Sequence, residues 1–284
     1  MSFDNRNRRF TEFLFWRLLL PSYIFFSKIF KNIKIEESLF RLVAMSRGYL
    51  APTNPEVNGE FALLKQIKSI SSAWCIDIGA NQGMYSKKIL EDTDLRVIAI
   101  EPMPQSFEKL QNMKNQYPDR MYIFDVALGN HNHPSRIYFD SPTSELATTS
   151  AIALDVPYLS NVSSIEIKVL TLDTVLENNF GDLREVDLIK IDVEGSEIEV
   201  LEGATRTIMK YKPKFIQVEH NWHHLFTSQT LHSISRILPK YDVYQLDYIR
   251  KRFVKRDLRD PLSNLFLYSN WVFVRNDVDF QTMF

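Results

Sequence analysis

Cysteine, glycine and net charge are all scarce in this chain of 284 residues. The one cysteine, Cys75, excludes an internal disulfide and any zinc site built from several thiolates. Flanked by Trp74 and Ile76, it reads as a buried strand thiol, and a reducing compartment, the cytoplasm, is the expectation. The 34 basic and 35 acidic side chains nearly cancel, so no global field draws the protein onto nucleic acid, and no nucleic-acid partner is expected. A repeat of fixed period and low-complexity tracts are both missing. So is an apolar run of the roughly 20 residues that a membrane-spanning helix needs. The nearest candidate, Phe13 to Phe26, is interrupted by Arg17 and Pro21, and it lacks the small residues of a signal-peptide cleavage site. What is present is the composition of a globular protein with a sizeable core: 45% hydrophobic and 24% charged residues, enough for one large domain or two small ones.

The first 54 residues differ from the rest. Residues 1 to 35 carry seven positive side chains (Arg6, Arg8, Arg9, Arg17, Lys28, Lys31, Lys34) against two negative ones (Asp4, Glu12). Two readings stand: an amphipathic helix pair packed on protein, or an interfacial segment at the inner face of a membrane. In the second, Phe13, Phe15, Trp16 and Leu18 to Leu20 enter the headgroup region and the cations of residues 6–34 meet anionic lipid. The stretch Gly48 to Gly59, with Pro52 and Pro55, reads as a linker. The expected division is therefore 1–54, a helical extension and linker, and 55–284, the main domain.

From Ala73 onward short apolar runs alternate with helical spacing. Strands are expected at Trp74–Ile78, Arg96–Ile100, Met121–Phe124, Val186–Ile191, Phe215–Val218, Tyr241–Leu246 and Trp271–Val274, with an extra pair at Arg136–Phe139 and Ile165–Leu170. Helices are expected at Met84–Glu91, Gln105–Gln116, from beyond Ile191 to about Met209, and at Thr230–Leu238. This alternation indicates an α/β, doubly wound, mainly parallel sheet. Such sheets bind ligands beyond the carboxyl ends of their strands, which selects the loops after Ile78, Ile100, Phe124, Ile191, Val218 and Leu246.

The first loop, Asp77-Ile78-Gly79-Ala80-Asn81-Gln82-Gly83, runs from strand to helix, and its glycines let a ligand approach the backbone. Its spacing does not match the GxGxxG of a pyrophosphate cradle. Glu101 ends the next strand, where a carboxylate can accept bonds from two ribose hydroxyls; the plainer alternative is a solvent-facing strand end.

DIGANQG at 77–83, EPMPQSFEKL at 101–110, TLDTVL at 171–176 and LIKIDVEGSEIEVLEGA at 188–204 together resemble the FkbM family of S-adenosylmethionine-dependent methyltransferases. The resemblance covers about residues 70 to 220. It implies a seven-stranded class I methyltransferase (Rossmann-like) sheet whose last strand inserts antiparallel beside the sixth. It also implies S-adenosyl-L-methionine as cofactor and methyl transfer to a hydroxyl of a sugar, glycan or related natural product. Gly79, Ala80, Asn81 and Gly83 would line the methionine moiety, with Tyr85 in the helix that follows. Glu101 and Pro102 would face the ribose, Asp125, Val126 and Ala127 the adenine, and Asp192 the sulfonium.

A sulfonium is a cation, and Asp77 and Asp192 offer it opposite charge. A sugar hydroxyl needs a general base, for which the candidates are His220 and Glu219 in the loop Glu219–His224, with Asp192 and Glu194 close behind. Glu194 has a plainer role open to it, complementing a helix dipole; His223 and His224 can equally be loop-packing residues beside Trp222. Asp192, Glu219 and His220 suit a divalent metal chemically, but their spacing matches no metal motif. Six cations between Tyr248 and Asp260 are either phosphate- or carboxylate-binding forks for an acidic acceptor or a solvated loop. Three rivals carry distinguishing features. A base-modifying methyltransferase typically has Asn- or Asp-Pro-Pro-aromatic where this chain has Asp192-Val193-Glu194-Gly195. A nicotinamide oxidoreductase wants the missing glycine spacing. A scaffold that keeps only the fold has no physical need for Glu101 or Asp192.

Overall fold

The computed structural model describes all residues except 1–12, 31–32, 68–72, 142–145, 151–162, 281 and 284. Among the sequence-expected features, Arg6, Arg8, Arg9 and Lys31 lie outside the described residues. Two compact units divide at Ala44/Met45.

The first unit is helical. A wide-turned π-helix, Phe15–Leu19, runs directly into α1, Leu20–Phe30, and α2 covers Ile33–Ser46. Pro21 has no amide hydrogen to donate, so it is tolerated at the second position of α1; the Leu20 amide reaches back five residues to the Phe15 carbonyl, the looser turn of a π-helix. No helix among the described residues is long and apolar enough to cross a membrane.

The second unit is built on an eight-stranded sheet. Its strands are β1 (Trp74–Ile78), β2 (Arg96–Ile100), β3 (Met121–Phe124), β7 (Val186–Ile191), β8 (Phe215–His220), β9 (Tyr241–Asp247), β10 (Arg252–Lys255) and β11 (Ser269–Arg275), in the order β10-β9-β11-β8-β7-β1-β2-β3. Pairing is parallel from β3 through β2, β1 and β7 to β8, and β11 lies antiparallel between β8 and β9. The seven expected strands are present in the class I methyltransferase arrangement. The eighth, β10, folds back on β9 within the segment that reads as a basic loop. Its reason is Phe253, buried beside Phe280, while Arg252 and Lys255 flank it on the exposed side. A second sheet of β4 (Ala127–Leu128), β5 (His133–Phe139) and β6 (Ser163–Leu170) contains the expected extra pair, joined antiparallel from His133↔Val169 to Phe139↔Ser163.

Alternating strand residues feed two cores. Trp74, Ile76 and Ile78 of β1 pack on one face with Ile98, Ile189, Ile216 and Trp271, covered by Leu172 and Val175 of α6 (Leu172–Asn179), by Val200 and Leu201 of α7 (Glu197–Glu202), and by Ile234 of α10 (Leu231–Ile237). Cys75 faces the other way with Val97, Ala99 and Val272, under Tyr85 and Ile89 of α4 (Met84–Asp92) and Leu110 of α5 (Pro104–Lys114). The short helices α3 (Pro55–Asn58), α8 (Thr205–Tyr211) and α9 (His223–Phe226) complete the set. Thr171 caps α6 by accepting the Thr174 amide at 3.0 Å, and a Thr230–Ser233 capping box starts α10.

The helix expected to run from beyond Ile191 to about Met209 is two helices, α7 and α8, broken at Gly203. There the chain lies against the Gly129 backbone: a Cβ on Gly203 would stand 2.0 Å from the Gly129 carbonyl oxygen. No side chain can relieve a backbone contact. Gly203→Ala is therefore expected to lower stability by at least about 1–3 kcal/mol, read as a shift of the urea midpoint at constant slope.

Candidate active site

One cleft of about 290 Å³ opens at the carboxyl ends of β1, β2, β7 and β8. Its walls divide into two halves. One half is the β1–α4 loop with Glu101 and Pro102; the other is the loops after β7 and β8, with Glu60, Lys190 and Tyr268 between them.

The first half begins with a backbone constraint. Gly79 has φ +77°, and a Cβ there would lie 1.8 Å from the Asp192 carbonyl oxygen, so only glycine permits the β1 and β7 loops to touch. The Asp192 amide donates to the Ile78 carbonyl at 3.0 Å, closing the contact. Asn81 takes the left-handed conformation, with φ 45°. Its amide donates to Glu101 Oε2 at 2.8 Å, the Met103 amide donates to Oε1 at 2.8 Å, and Ser106 Oγ donates to Asn81 Oδ1 at 2.8 Å. Glu101 is thus oriented by the backbone while both oxygens keep a second lone pair. Burial pushes its carboxyl up to about 7, against the two amide bonds that favour the anion. Apolar Ile100, Val126, Ile137 and Leu146 line the space beyond it.

The second half is crowded with carboxylates. Asp192 Oδ2 accepts from Lys190 Nζ at 2.8 Å, and Glu60 Oε1 lies 3.4 Å from the same nitrogen. Lys190 also sits 5.2 Å from the centre of the Tyr85 ring. Burial works against its charge, but Asp192, Glu60 and Asp77 hold its pKa well above the usual lysine range. Asn221 Nδ2 bridges Glu194 Oε2 at 2.7 Å and Glu219 Oε1 at 2.9 Å. His223 Nδ1 bonds the same Glu194 oxygen from behind. Burial raises the carboxyls of both glutamates, and for Glu219 the nearby Asp192 and Glu194 charges raise it further, well above the carboxylate range. Glu194 holds φ 55°, a strained conformation for a residue with a side chain, which turns the chain sharply into Gly195.

Of the sequence-expected residues, the cleft brings together Gly79, Ala80, Asn81, Tyr85, Glu101, Pro102, Val126, Ala127, Asp192, Glu194 and Glu219. Four others stand elsewhere. Asp77 is fully buried behind the loop, its Oδ2 accepting from Ser86 Oγ at 2.6 Å, and burial raises its carboxyl. Gly83 caps α4 with φ 83°, against Leu110 and Met113. Asp125 is exposed and outside the cleft wall. His220 follows Glu219 on β8, so strand alternation turns its ring away from the cleft. The ring packs 4.5 Å from that of His224 and 5.4 Å from that of Phe266, and burial, with His224 beside it, lowers its pKa to about 3. The basic segment is also committed to its own neighbours: Arg250 and Arg252 to Asp247, Lys255 to Asp242, Arg256 to Gln245, and Arg259 to Asp257. None of these cations lines the cleft.

Lys190, Glu60, Asn221 and Tyr268 are among the cleft residues that sequence reasoning passed over. Lys190 had a signal: a lysine between Ile189 and Ile191 in a fully buried strand requires a partner. Glu60 and Tyr268 had none, since they reach the cleft from opposite ends of the unit. Asp192, Glu194 and Glu219 can bring one oxygen each within 4.8 Å of one another, the spread of a metal site. Asp192 Oδ2 is taken by Lys190, Glu194 Oε2 by Asn221 and His223, and Glu219 Oε1 by Asn221.

Residues 77–250 match the family model of the methyltransferase FkbM domain. The chain is similar to the 2-O-methyltransferase NoeI of Sinorhizobium fredii, at 28% identity over 182 residues, covering 59% of this chain and 72% of that one. It is similar to the hexuronic acid methyltransferase AglP of Haloferax volcanii, at 27% identity over 158 residues, covering 55% of this chain and 59% of the relative. Among solved structures, the precorrin-6y C5,15-methyltransferase of Geobacter metallireducens aligns with a TM-score of 0.38 at 12% identity, over 79% of this chain and 90% of that one.

Removing the Lys190 ammonium strands Asp192 and Glu60 without their cation. Lys190→Met is expected to cost roughly 3–5 kcal/mol at neutral pH. The loss should shrink on acidification, because the stranded carboxyls take up protons in the folded state and then need no counter-charge. Urea unfolding of both proteins at neutral and acidic pH reads the effect.

Proposed function

The chain belongs to the FkbM methyltransferase family, and from that premise we propose that it is an S-adenosylmethionine-dependent O-methyltransferase acting on a hydroxyl of a sugar or glycan. The observation that carries this reading is the pairing of a backbone-oriented Glu101 with a cluster of carboxylates across one cleft. The two halves fit the two ends of that cofactor. Glu101 has lone pairs for two ribose hydroxyls, and the apolar wall of Ile100, Val126, Ile137 and Leu146 suits a purine. Glu60, Asp192, Glu194 and Glu219 outnumber the Lys190 ammonium, so the opposite half is electronegative and suits a sulfonium. The cofactor, when bound, supplies a methyl group on cationic sulfur for transfer to an oxygen nucleophile.

The chain's own contribution is orientation and proton removal. Glu219 is the proposed base. Asn221 fixes its Oε1, its raised pKa makes it a stronger proton acceptor than an ordinary carboxylate, and it faces the cleft where His220 does not. Glu194, held by both Asn221 and His223, positions Asn221 and through it Glu219. Trp222 and Tyr268 offer ring faces for the C–H side of a sugar, beside polar Asn221 and Thr53. The names of the 2-O-methyltransferase and hexuronic acid methyltransferase relatives support a sugar acceptor.

Two outcomes test the reading. Calorimetric titration should show S-adenosylmethionine and S-adenosylhomocysteine binding, with NADH silent. Affinity should weaken between about pH 8 and about pH 6, because the protonated form of Glu101, favoured below about 7, loses acceptor capacity for the ribose. Glu101→Gln should weaken binding by about 10- to 100-fold and flatten that pH dependence. Failure of both sulfur compounds to bind would remove the cofactor assignment. Separately, Glu219→Gln should lower kcat about 10²- to 10⁴-fold with cofactor affinity within a few-fold of wild type, while His220→Gln should leave the pH–rate profile in place. A profile that follows His220 instead would overturn the choice of base.

A further inference from the structure

The first unit carries a surface that its own fold leaves uncovered. In the turn before the π-helix, in the π-helix and in α1, Phe13, Phe15, Trp16, Leu18, Leu19, Tyr23, Ile24, Phe25 and Phe26 are all exposed, Trp16 to 64% and Phe25 to 62%. They fall on consecutive and alternate positions, so they ring the helix instead of forming one stripe. A helix apolar all round is stable only when surrounded by an apolar medium. α2 differs: Ile35, Leu39, Leu42 and Val43 follow the i, i+4, i+7, i+8 spacing of one face and are exposed, Phe40 is exposed outside that face, and Lys34, Glu37 and Arg41 lie on the other side of the wheel. Contiguous exposed apolar surface of this kind marks an interaction site.

Charge identifies what covers it. Residues 13–46 hold five cations (Arg17, Lys28, Lys31, Lys34, Arg41) against Glu36 and Glu37, and the sequence before them adds Arg6, Arg8 and Arg9. A second copy of this unit would bring the same positive charge to the contact. An anionic bilayer brings the opposite sign, with about 1 kcal/mol of attraction for each basic residue near the surface. Arg17 and Lys28 are exposed within the apolar ring, and no helix among the described residues can cross a membrane, so the segment lies in the headgroup region instead of spanning it. Trp16 and Tyr23 are the amphipathic rings favoured at that depth.

We propose that residues 13–43 dock in the plane of an anionic phospholipid surface, through the apolar ring of the π-helix and α1 and the apolar face of α2. This does not depend on the methyltransferase reading, because its test measures partitioning and not turnover. The full chain is co-sedimented with vesicles of phosphatidylcholine alone and with roughly 30% phosphatidylglycerol added. Partitioning onto the anionic vesicles should be at least about tenfold stronger and should fall as salt is raised. Trp16→Asp with Phe25→Asp should reduce it by about tenfold or more, and Arg17→Glu with Lys28→Glu should abolish the anionic preference. Both pairs should keep the wild-type unfolding midpoint, since none of the four side chains is buried. Equal partitioning onto the two vesicle types, or none, overturns the proposal. So does self-association in sedimentation velocity that the Trp16/Phe25 pair abolishes while vesicles remain unbound.

Discussion

A single buried ammonium holds the cleft in its shape. Lys190 stands near the end of the central strand β7, between Asp192 in the loop that follows it and Glu60 from the segment before β1. Burial alone favours the neutral forms of Lys190 and Glu60. Asp192 and Glu60 together hold the Lys190 ammonium in its charged form against burial, and the long-range partner, Glu60, is fixed to the sheet in the process. Gln217 on β8 reinforces the same tie, donating to the Glu60 carbonyl at 3.3 Å and accepting from the Tyr85 hydroxyl at 3.0 Å. Lys190 and Gln217 between them join the pre-β1 segment, α4, β7 and β8.

The carboxylates beyond Lys190 are managed by a different device. Glu194 and Glu219 share one amide donor, Asn221, and the imidazole of His223 takes the outer side of Glu194. Burial first, and then the neighbouring like charges, raise the carboxyl of Glu219, which turns the crowding into basicity at the residue that faces the cleft. His224 performs a comparable service deeper in the fold. Its Nε2 lies 2.8 Å from Glu197, and although burial would raise that carboxyl, His224 carries it below the usual value. The Glu197 carboxylate in turn accepts the Gly195 amide at 3.1 Å, supporting the strained turn at Glu194.

Strand positions and the loop after β1 were legible because they depend on local pattern, whereas the antiparallel insertion of the last strand was expected only from the family resemblance. Apolar runs such as Val186–Ile191 and the glycine pair at 79 and 83 declare themselves within a few residues. The orientation of the histidines was not legible: Glu219 and His220 are adjacent, and only the register of β8 with β11, Asn270↔Glu219 and Ser269↔His220, decides which of the two faces the cleft. The break at Gly203 was hidden for a similar reason, since the obstructing Gly129 carbonyl comes from a segment over seventy residues earlier. β10 was masked by composition. Four residues flanked by arginine and lysine read as solvated chain, and the anchoring ring partner of Phe253, Phe280, lies near the far end of the sequence.

The backbone seam between the two halves of the cleft is the contact of Gly79 with Asp192. Outside that point the halves are contributed by different strands, different loops and different stretches of sequence. Descendants of such a protein are free to rewrite the β7 and β8 loops, lengthening them or replacing their aromatic residues, without disturbing the bonds that set Glu101. The converse freedom is much smaller, because any residue but glycine at position 79 collides with the opposite half. Divergence within a lineage of this design should therefore be lopsided: variable in the β7 and β8 loops, and nearly frozen at the seam.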